Sequence, residues 1–237
     1  MFLYKFEKLG RAILNPGNWW AISHGVVPTI EHGKCLQDIA PASVIDVGAN
    51  KGQFSVFATS IWPNARFHAF EPLPGPSAKF EKVLRGKVTL HKCALGDQET
   101  ELEIHIASRA DSSSLLPLGE KQKQLYDMSE SGKLRVPVKR LDAVVAGEAL
   151  QAPALLKIDV QGFEYEVLSG ISGITDKVRW IYVEASFVEL YEGQHLFDDV
   201  AELISSLGYD QIGQFNTSYD DKGEKVQADF LFESRKS

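Results

Sequence analysis

The chain has 237 residues, of which 44% are hydrophobic and 24% are charged, so it can bury a substantial core in one large α/β domain or two small ones. Its formal net charge is −7, and no run of lysine or arginine interrupts this acidic balance. Because binding to a phosphate backbone needs a basic footprint, the composition argues against a protein whose main partner is nucleic acid.

The two cysteines and the first residues predict where the protein works. Cys35 and Cys93 lie far apart, without the spacing of a zinc motif, which is typical of reduced thiols in a cytoplasmic protein. Residues 1–14 carry four charges, so they lack the apolar core of a signal peptide. No stretch reaches the roughly 20 apolar residues of a membrane span.

Residues 1–40 differ in pattern from the rest of the chain. Apolar residues over 2–14 recur at helical spacing, and Asn15–Gly17 ends that pattern. Trp19 and Trp20 follow, and residues 31–40 favour a short helix. We therefore expect an N-terminal helical extension or lid over 1–40, followed by one domain over 41–237.

The stretch Val44–Gly52 (VIDVGANKG) predicts a buried strand over Ser43–Val47, a glycine-containing loop and a helix starting at Gln53. Glycine permits positive φ and close approach of the backbone to a ligand. A helix start at the carboxyl end of a parallel strand is where nucleotide-type ligands bind. The stretch therefore predicts a nucleotide-type pocket at the end of this strand, with Asp46 as a candidate cofactor contact.

The next two strands predict further cofactor contacts. The strand Arg66–Phe70 ends at Glu71, which lies 23 residues beyond Gly48, where α/β folds place an acid for the ribose hydroxyls. A third strand over Lys87–Lys92 leads to Leu95 and Asp97. In a doubly wound sheet this places Leu95 against the base of the nucleotide and lets Asp97 accept from its amino group.

The middle of the chain predicts a small β insertion over 100–140. Thr100–Ala107 alternates apolar and polar residues, as does Leu134–Val138. Pro137 interrupts the second strand, which suits a sheet edge. Between them, residues 119–132 are polar, and we expect them to be mobile.

Two later strands also end in acids. Ala154–Ile158 precedes Asp159, and Trp180–Val183 precedes Glu184. With Asp46 and Glu71, four acids would then meet at one edge of the sheet. Four such carboxylates repel each other unless ligands, hydrogen bonds or cations compensate, so the repetition predicts a functional site.

The last part of the chain completes the fold prediction. Residues 198–207 form an amphipathic pattern that ends at Gly208, and strands are predicted over Tyr209–Ile212 and Ala228–Phe232. The hairpin of these two strands adds an antiparallel strand. The expected fold is a mostly parallel seven-stranded α/β sheet with one late antiparallel strand.

Two cofactor classes fit this fold. A dinucleotide usually requires a third glycine after Gly48 and Gly52, and none follows within the helix start. S-adenosylmethionine carries no phosphate and suits the sparser loop, with Asp46 or Asn50 available to its ammonium and carboxylate. An NAD-dependent oxidoreductase and a non-catalytic ligand-binding module remain as alternatives.

Several spaced motifs resemble the FkbM family of S-adenosylmethionine-dependent methyltransferases, over about residues 41–232. They are Val44–Gly52, Phe70–Pro72, Ala94–Asp97, Ser112–Leu115, Val138–Asp142 and Leu156–Glu164. The resemblance implies a class I methyltransferase (Rossmann-like) fold and O-methylation of a hydroxyl on a glycan or another natural product. It also implies Asp159 beside the transferring methyl and cofactor contacts at Asp46, Gly48, Asn50, Gly52, Glu71 and Pro72.

An alcohol is a weak nucleophile at neutral pH, so a base or a metal should assist the transfer. Asp159 and Glu184 could serve as base and orienting group, or could together hold a divalent cation. His195 and His24 are competing bases. The net charge, and the absence of an Asn/Asp-Pro-Pro-aromatic tetrapeptide, argue against methylation of nucleic acid. The acceptor and the oligomeric state, a homodimer included, stay open.

Overall fold

Ten strands form the framework of the computed structural model, which describes residues 15–145 and 150–236. They are β1 (Ser43–Val47), β2 (Arg66–Phe70), β3 (Thr89–His91), β4 (Ala94–Leu95), β5 (Thr100–Ala107), β6 (Glu130–Lys139), β7 (Ala154–Ile158), β8 (Val178–Ser186), β9 (Tyr209–Tyr219) and β10 (Lys225–Ser234). Seven of them form the main sheet, in the order β3-β2-β1-β7-β8-β10-β9.

The main sheet is parallel except at β10, which pairs antiparallel with both β8 and β9. This confirms the predicted α/β fold with a mostly parallel seven-stranded sheet and a late antiparallel strand. The two late strands are longer than predicted, since the hairpin extends from Tyr209 to Ser234 around a turn at Asp220.

Seven helices are described beside the sheets. They are α1 (Trp19–Ser23), α2 (Gln53–Ile61), α3 (Pro74–Leu84), α4 (Glu120–Tyr126), α5 (Leu141–Val145), α6 (Glu164–Ser169) and α7 (Phe197–Ser206). In place of the short helix predicted over 31–40 there is a 3-10 turn at Ile30–Gly33. The helix predicted over 2–14 lies outside the described residues.

The main sheet is covered on both faces because alternate residues of a strand point to opposite sides. On one face, Ile45 and Leu156 pack with residues of α6 and α7. On the other face, Val44 and Leu155 pack with α2, α3 and the segment over 21–39. Each of these buried aliphatic side chains stabilises the fold by roughly 1.5–3 kcal/mol. The N-terminal segment is thereby held on the α2 side of the sheet.

The predicted β insertion forms a second sheet in the order β4-β6-β5. The prediction that the strand with Pro137 lies at an edge was wrong, because β6 is the central strand. Proline is tolerated there because β4 pairs only with Val138 and Lys139, while Pro137 faces Glu101 of β5. The segment over 119–132, expected to be mobile, contains α4 and the start of β6.

The position of Glu184 corrects another prediction. Strand β8 continues to Ser186, so Glu184 lies within the strand and not at its end. It pairs across the sheet with Asp229 of β10. The third strand, in contrast, is shorter than predicted and covers only Thr89–His91.

Candidate functional site

A cleft opens at the carboxyl ends of β1, β2 and β7, at the edge where ligands bind in sheets of this kind. It encloses about 940 Å³ of space when the solvent at its open mouth is included. The residues that line the cleft lie within 29–32, 47–54, 70–73, 93–95, 110–115 and 157–163, and at Ile104.

The loop after β1 forms the floor of the cleft and requires glycine at two positions. Gly48 has φ of 76°, and a Cβ at this position would overlap the carbonyl oxygen of Asp159. Its N–H donates to the carbonyl oxygen of Phe70 at 3.1 Å. Gly52 has φ of 91° and packs against Leu84 of α3, outside the cleft lining. The loop therefore touches both neighbouring strand ends.

Glu71 holds this loop from the end of β2. Its Oε2 accepts from the N–H of Asn50 at 2.9 Å, and its Oε1 accepts from the N–H of Leu73 at 2.7 Å. The side chain lines the cleft, as does Pro72, although Glu71 is only 6% exposed. Burial raises the pKa of Glu71 to about 7, against the opposing effect of these two hydrogen bonds.

Asp46 lies beneath the cleft and is not among its lining residues. Its Oδ1 is 3.2 Å from Nζ of Lys157, and its Oδ2 accepts from the hydroxyl of Ser55 at 2.7 Å. Lys157 does line the cleft, and its Nζ lies 3.6 Å from Oδ2 of Asp159. Burial lowers the pKa of Lys157, but the charges of Asp46 and Asp159 raise it overall. Asp46 therefore has no direct contact with the cleft, but it holds the ammonium group of Lys157, which lines the cleft.

Asp159 presents its carboxylate, which is 37% exposed, in the wall of the cleft. Nε2 of Gln161 donates to Oδ1 of Asp159 at 2.7 Å and to Oε2 of Glu184 at 3.2 Å. The amide therefore lies between the two acids that were considered as base and orienting group or as joint ligands of a cation. Because it offers a hydrogen-bond donor there, this arrangement does not fit a metal ion.

Glu184 does not line the cleft, and it anchors Gln161 from behind. Its Oε1 accepts from Nε2 of Gln227 at 2.7 Å. Burial and the nearby charge of Asp159 raise the pKa of Glu184 well above its usual value. Within residues 15–145 and 150–236, no group of three or more His, Cys, Asp or Glu side chains is arranged to hold a metal ion.

Gln161 was not predicted as a site residue, although it connects the cleft to the β insertion. Its Oε1 accepts from the hydroxyl of Tyr191 at 2.9 Å, and its carbonyl oxygen accepts from the hydroxyl of Ser114 at 2.6 Å. Its φ of 60° lies in the left-handed region, which non-glycine residues seldom adopt. The only sequence signal was its place before Gly162.

Of the remaining predicted residues, one lines the cleft and three do not. Leu95 is buried and lines the cleft, whereas Asp97 is exposed and lies outside the lining. His195 stacks on Tyr165 with ring centroids 3.9 Å apart and does not line the cleft. His24 is also outside it, with Nδ1 2.8 Å from the carbonyl oxygen of Trp20.

The N-terminal segment contributes two cleft residues that were not predicted, Thr29 and His32. The hydroxyl of Tyr182 donates to Oδ2 of Asp229 at 2.7 Å, so its oxygen accepts from Nδ1 of His32 at 2.8 Å. Burial opposes ionisation of Asp229, but hydrogen bonds from His32, Asn216 and Tyr182 lower its pKa overall. These contacts join residues far apart in the chain, so no local motif indicates them.

Among residues 15–145 and 150–236, no helix is long and apolar enough to cross a lipid bilayer.

Three characterised relatives are similar to most of this chain. Methyltransferase 1 of Beauveria bassiana (strain ARSEF 2860) is 29% identical over 196 residues, covering 74% of this chain and 76% of the relative. The 2-O-methyltransferase NoeI of Sinorhizobium fredii is 27% identical over 181 residues, covering 73% and 74%. The 31-O-demethyl-FK506 methyltransferase FkbM of Streptomyces tacrolimicus is 26% identical over 202 residues, covering 75% and 76%.

The similar solved structures include Methyltransferase FkbM from Methylobacillus flagellatus KT, with 16% identity and a TM-score of 0.48. The match covers 79% of this chain but only 43% of the solved one, so this chain spans less than half of that protein. The profile of the Methyltransferase FkbM domain matches residues 46–210, which is more than half of this chain. The chain therefore belongs to the FkbM family of S-adenosylmethionine-dependent methyltransferases.

Proposed function

We propose that this protein transfers a methyl group from S-adenosylmethionine to a hydroxyl of a glycan or another small natural product. The observation that carries the proposal is the carboxylate of Asp159, which is accessible in the cleft and oriented by Lys157 and Gln161. The names of two relatives, the 2-O-methyltransferase NoeI and the 31-O-demethyl-FK506 methyltransferase FkbM, describe O-methyl transfer, which supports the same class of reaction.

The cleft offers groups that match the methyl donor. The buried carboxylate of Glu71 can accept hydrogen bonds from the two ribose hydroxyls. Oδ1 of Asn50 is buried and has no hydrogen-bond partner in the part of the chain that the structure describes. Gly48 keeps the floor free of side-chain atoms, while Leu95 supplies an apolar surface for the adenine. Pro72 extends that wall. We propose that these residues bind the methyl donor.

Asp46 and Gly52 were also predicted to bind the donor, but in this proposal they act indirectly. Asp46 fixes Lys157, and Gly52 allows α2 to pack against α3. Asp97 and His195 lie outside the cleft lining, so we give them no part in binding or catalysis.

When bound, the donor supplies a methyl group already activated by its sulfonium. The protein must then hold the acceptor oxygen about 3 Å from the methyl carbon, in line with the sulfur. In this proposal Asp159 accepts the hydroxyl proton as the oxygen attacks. Lys157 and Gln161 keep its carboxylate in one orientation, and Glu184 secures Gln161.

The mouth of the cleft favours an acceptor rich in hydroxyl groups. Asp111 and Ser113 line it and offer polar contacts to such a molecule. The net charge of −7 disfavours a polyanionic acceptor. A neutral glycan or polyhydroxylated natural product satisfies both conditions.

The test uses S-adenosylmethionine with a labelled methyl group and a panel of hydroxylated natural products, glycans and matched amines. We expect label on oxygen. Asp159→Asn should reduce turnover by about 10²–10⁴-fold, because the amide cannot take the proton. Its affinity for S-adenosylmethionine by calorimetry should stay within about threefold. Asp221→Asn, at an exposed turn, is the matched control with unchanged turnover.

Label found only on nitrogen or carbon would overturn the proposed reaction. Full turnover in Asp159→Asn would leave O-methylation standing and remove Asp159 from the proton transfer.

A further inference from the structure

We propose that Thr29 and Gln53 complete, together with Asn50, a subsite for the ammonium group of the methyl donor. This inference rests on the proposed placement of the donor in the cleft and extends it to the N-terminal segment. Thr29 precedes the residues that match the family, which begin at position 46. The subsite therefore adds a binding role to a part of the chain with no assigned function.

The first observation concerns three buried side-chain oxygens. Oγ1 of Thr29, Oδ1 of Asn50 and Oε1 of Gln53 are each shielded from solvent and have no hydrogen-bond partner among residues 15–145 and 150–236. All three residues line the same cleft. Buried polar atoms in proteins are almost always hydrogen-bonded, because an unmade bond costs free energy. Three such atoms in one cleft indicate a missing donor.

The second observation is that the chain holds these residues together. The N–H of Thr29 donates to the carbonyl oxygen of Gln53 at 3.3 Å, which ties the N-terminal segment to the first residue of α2. Asn50 lies three residues before Gln53, in the loop that Glu71 holds. The three oxygens thus belong to two adjoining segments.

The chemistry of the atoms selects the ligand group. An ammonium has three N–H donors and no acceptor, so it complements three acceptor oxygens. A carboxylate could accept only from the hydroxyl of Thr29, and the amide oxygens of Asn50 and Gln53 would repel it. The nearby charges agree, because Asp46 and Asp159 together exceed the single positive charge of Lys157 by one negative charge. The site therefore suits a cation.

The test measures binding of three nucleosides by calorimetry, without any acceptor. S-adenosylhomocysteine carries the ammonium and the carboxylate, its decarboxylated analogue keeps only the ammonium, and methylthioadenosine lacks both. We expect the first two to bind wild-type protein about tenfold more tightly than methylthioadenosine.

Gln53→Met and Thr29→Val should each weaken S-adenosylhomocysteine by several-fold, and together by about tenfold, while methylthioadenosine stays within about twofold. Gln37→Met is the matched control, since Gln37 is exposed and bonds only Asp38 among its described partners. It should change neither affinity.

The outcomes separate the two proposals. If the decarboxylated analogue binds no better than methylthioadenosine, or if the variants weaken both nucleosides equally, the ammonium subsite is wrong and the placement of the donor stands. If wild-type protein binds none of the three nucleosides, the placement of the donor fails, and the subsite with it.

Discussion

Two loops meet at the cleft, and each is held by a buried glutamate that accepts two backbone N–H groups. Glu71 holds the loop over 48–52 from a neighbouring strand, whereas Glu164 holds the loop over 159–163 from the helix that follows it. Burial raises the pKa of both carboxyls to about 7. Only Glu71 lines the cleft.

The two glutamates use their oxygens differently. Glu164 accepts from the N–H groups of Val160 and Gly162 through the same atom, Oε1. Glu71 engages both of its oxygens, one for Asn50 and one for Leu73. The same arrangement stabilises both loops, but only Glu71 lines the cleft, so only its proton could be coupled to a ligand bound there.

The largest effect should come from the point where the loops touch. Gly48→Ala places a Cβ onto the carbonyl oxygen of Asp159 and also strains a φ of 76°. We expect the free energy of unfolding to fall by at least about 4 kcal/mol, because backbone atoms must move apart. Urea unfolding measures this loss.

Gly223→Ala is the control for strain alone, since Gly223 has φ of 81° and a Cβ added there would meet open space, with nothing beyond its chain neighbours within 4 Å. It should cost about 1–2 kcal/mol. If both variants lose the same free energy of unfolding, the predicted steric overlap between residue 48 and the carbonyl oxygen of Asp159 is wrong.

The second prediction concerns stability against pH. Both glutamates bind protons more tightly in the folded protein, with pKa about 7 against an ordinary 4.5. Between pH 4.5 and 7 the folded state therefore holds more protons, so the free energy of unfolding falls as pH rises and levels off above 7. Each group accounts for up to about 3 kcal/mol of this decline.

Glu164→Gln isolates one share of that decline, because its amide oxygen can still accept both N–H groups through the Oε1 position. Urea unfolding at pH 5 and pH 8 should show a smaller difference for this variant, mainly through a gain in stability at pH 8. An unchanged difference would mean that Glu164 does not titrate in this range.

The smallest expected effect is on the pH dependence of nucleoside binding, which should depend on Glu71 and not on Glu164. Ionised Glu71 is the better acceptor for ribose hydroxyls, and Glu71 ionises as the pH passes through its pKa of about 7. Methylthioadenosine, which has no group that titrates between pH 6 and pH 8, should bind about tenfold more tightly at pH 8 than at pH 6. Calorimetry at both pH values measures the ratio.

Glu71→Gln should abolish this pH dependence and weaken binding, because its amide NH₂ must face the N–H of either Asn50 or Leu73. Glu164→Gln should keep the tenfold ratio. A ratio near one in wild-type protein would contradict a role for ionised Glu71 in binding.

The strands around the cleft were predictable because their patterns are local. The bounds of β1, β2, β5 and β7 follow from short apolar or alternating runs, and Glu71 and Asp159 follow directly from where β2 and β7 end. Glu184 was wrongly predicted to follow the end of its strand. Buried residues continue beyond it, so β8 runs through Glu184 to Ser186.

The parts of the site that were not predicted depend on contacts between distant segments. Thr29 and His32 reach the cleft only because the N-terminal segment packs on the face that holds α2. Lys157 was predicted only as part of a buried strand, and no role was assigned to its side chain, which connects Asp46 with Asp159. No periodicity or motif in the chain carries that information.

The cleft is assembled from seven separate stretches between positions 29 and 163, so local opening of any one of them disrupts it. A ligand that binds there is bound only by the folded chain, and at a concentration of 100 times its Kd it adds about 2.7 kcal/mol to the free energy of unfolding. The fraction of molecules exposed to proteases then falls about 100-fold. The supply of methyl donor would in this way set the lifetime of the protein as well as its rate of reaction.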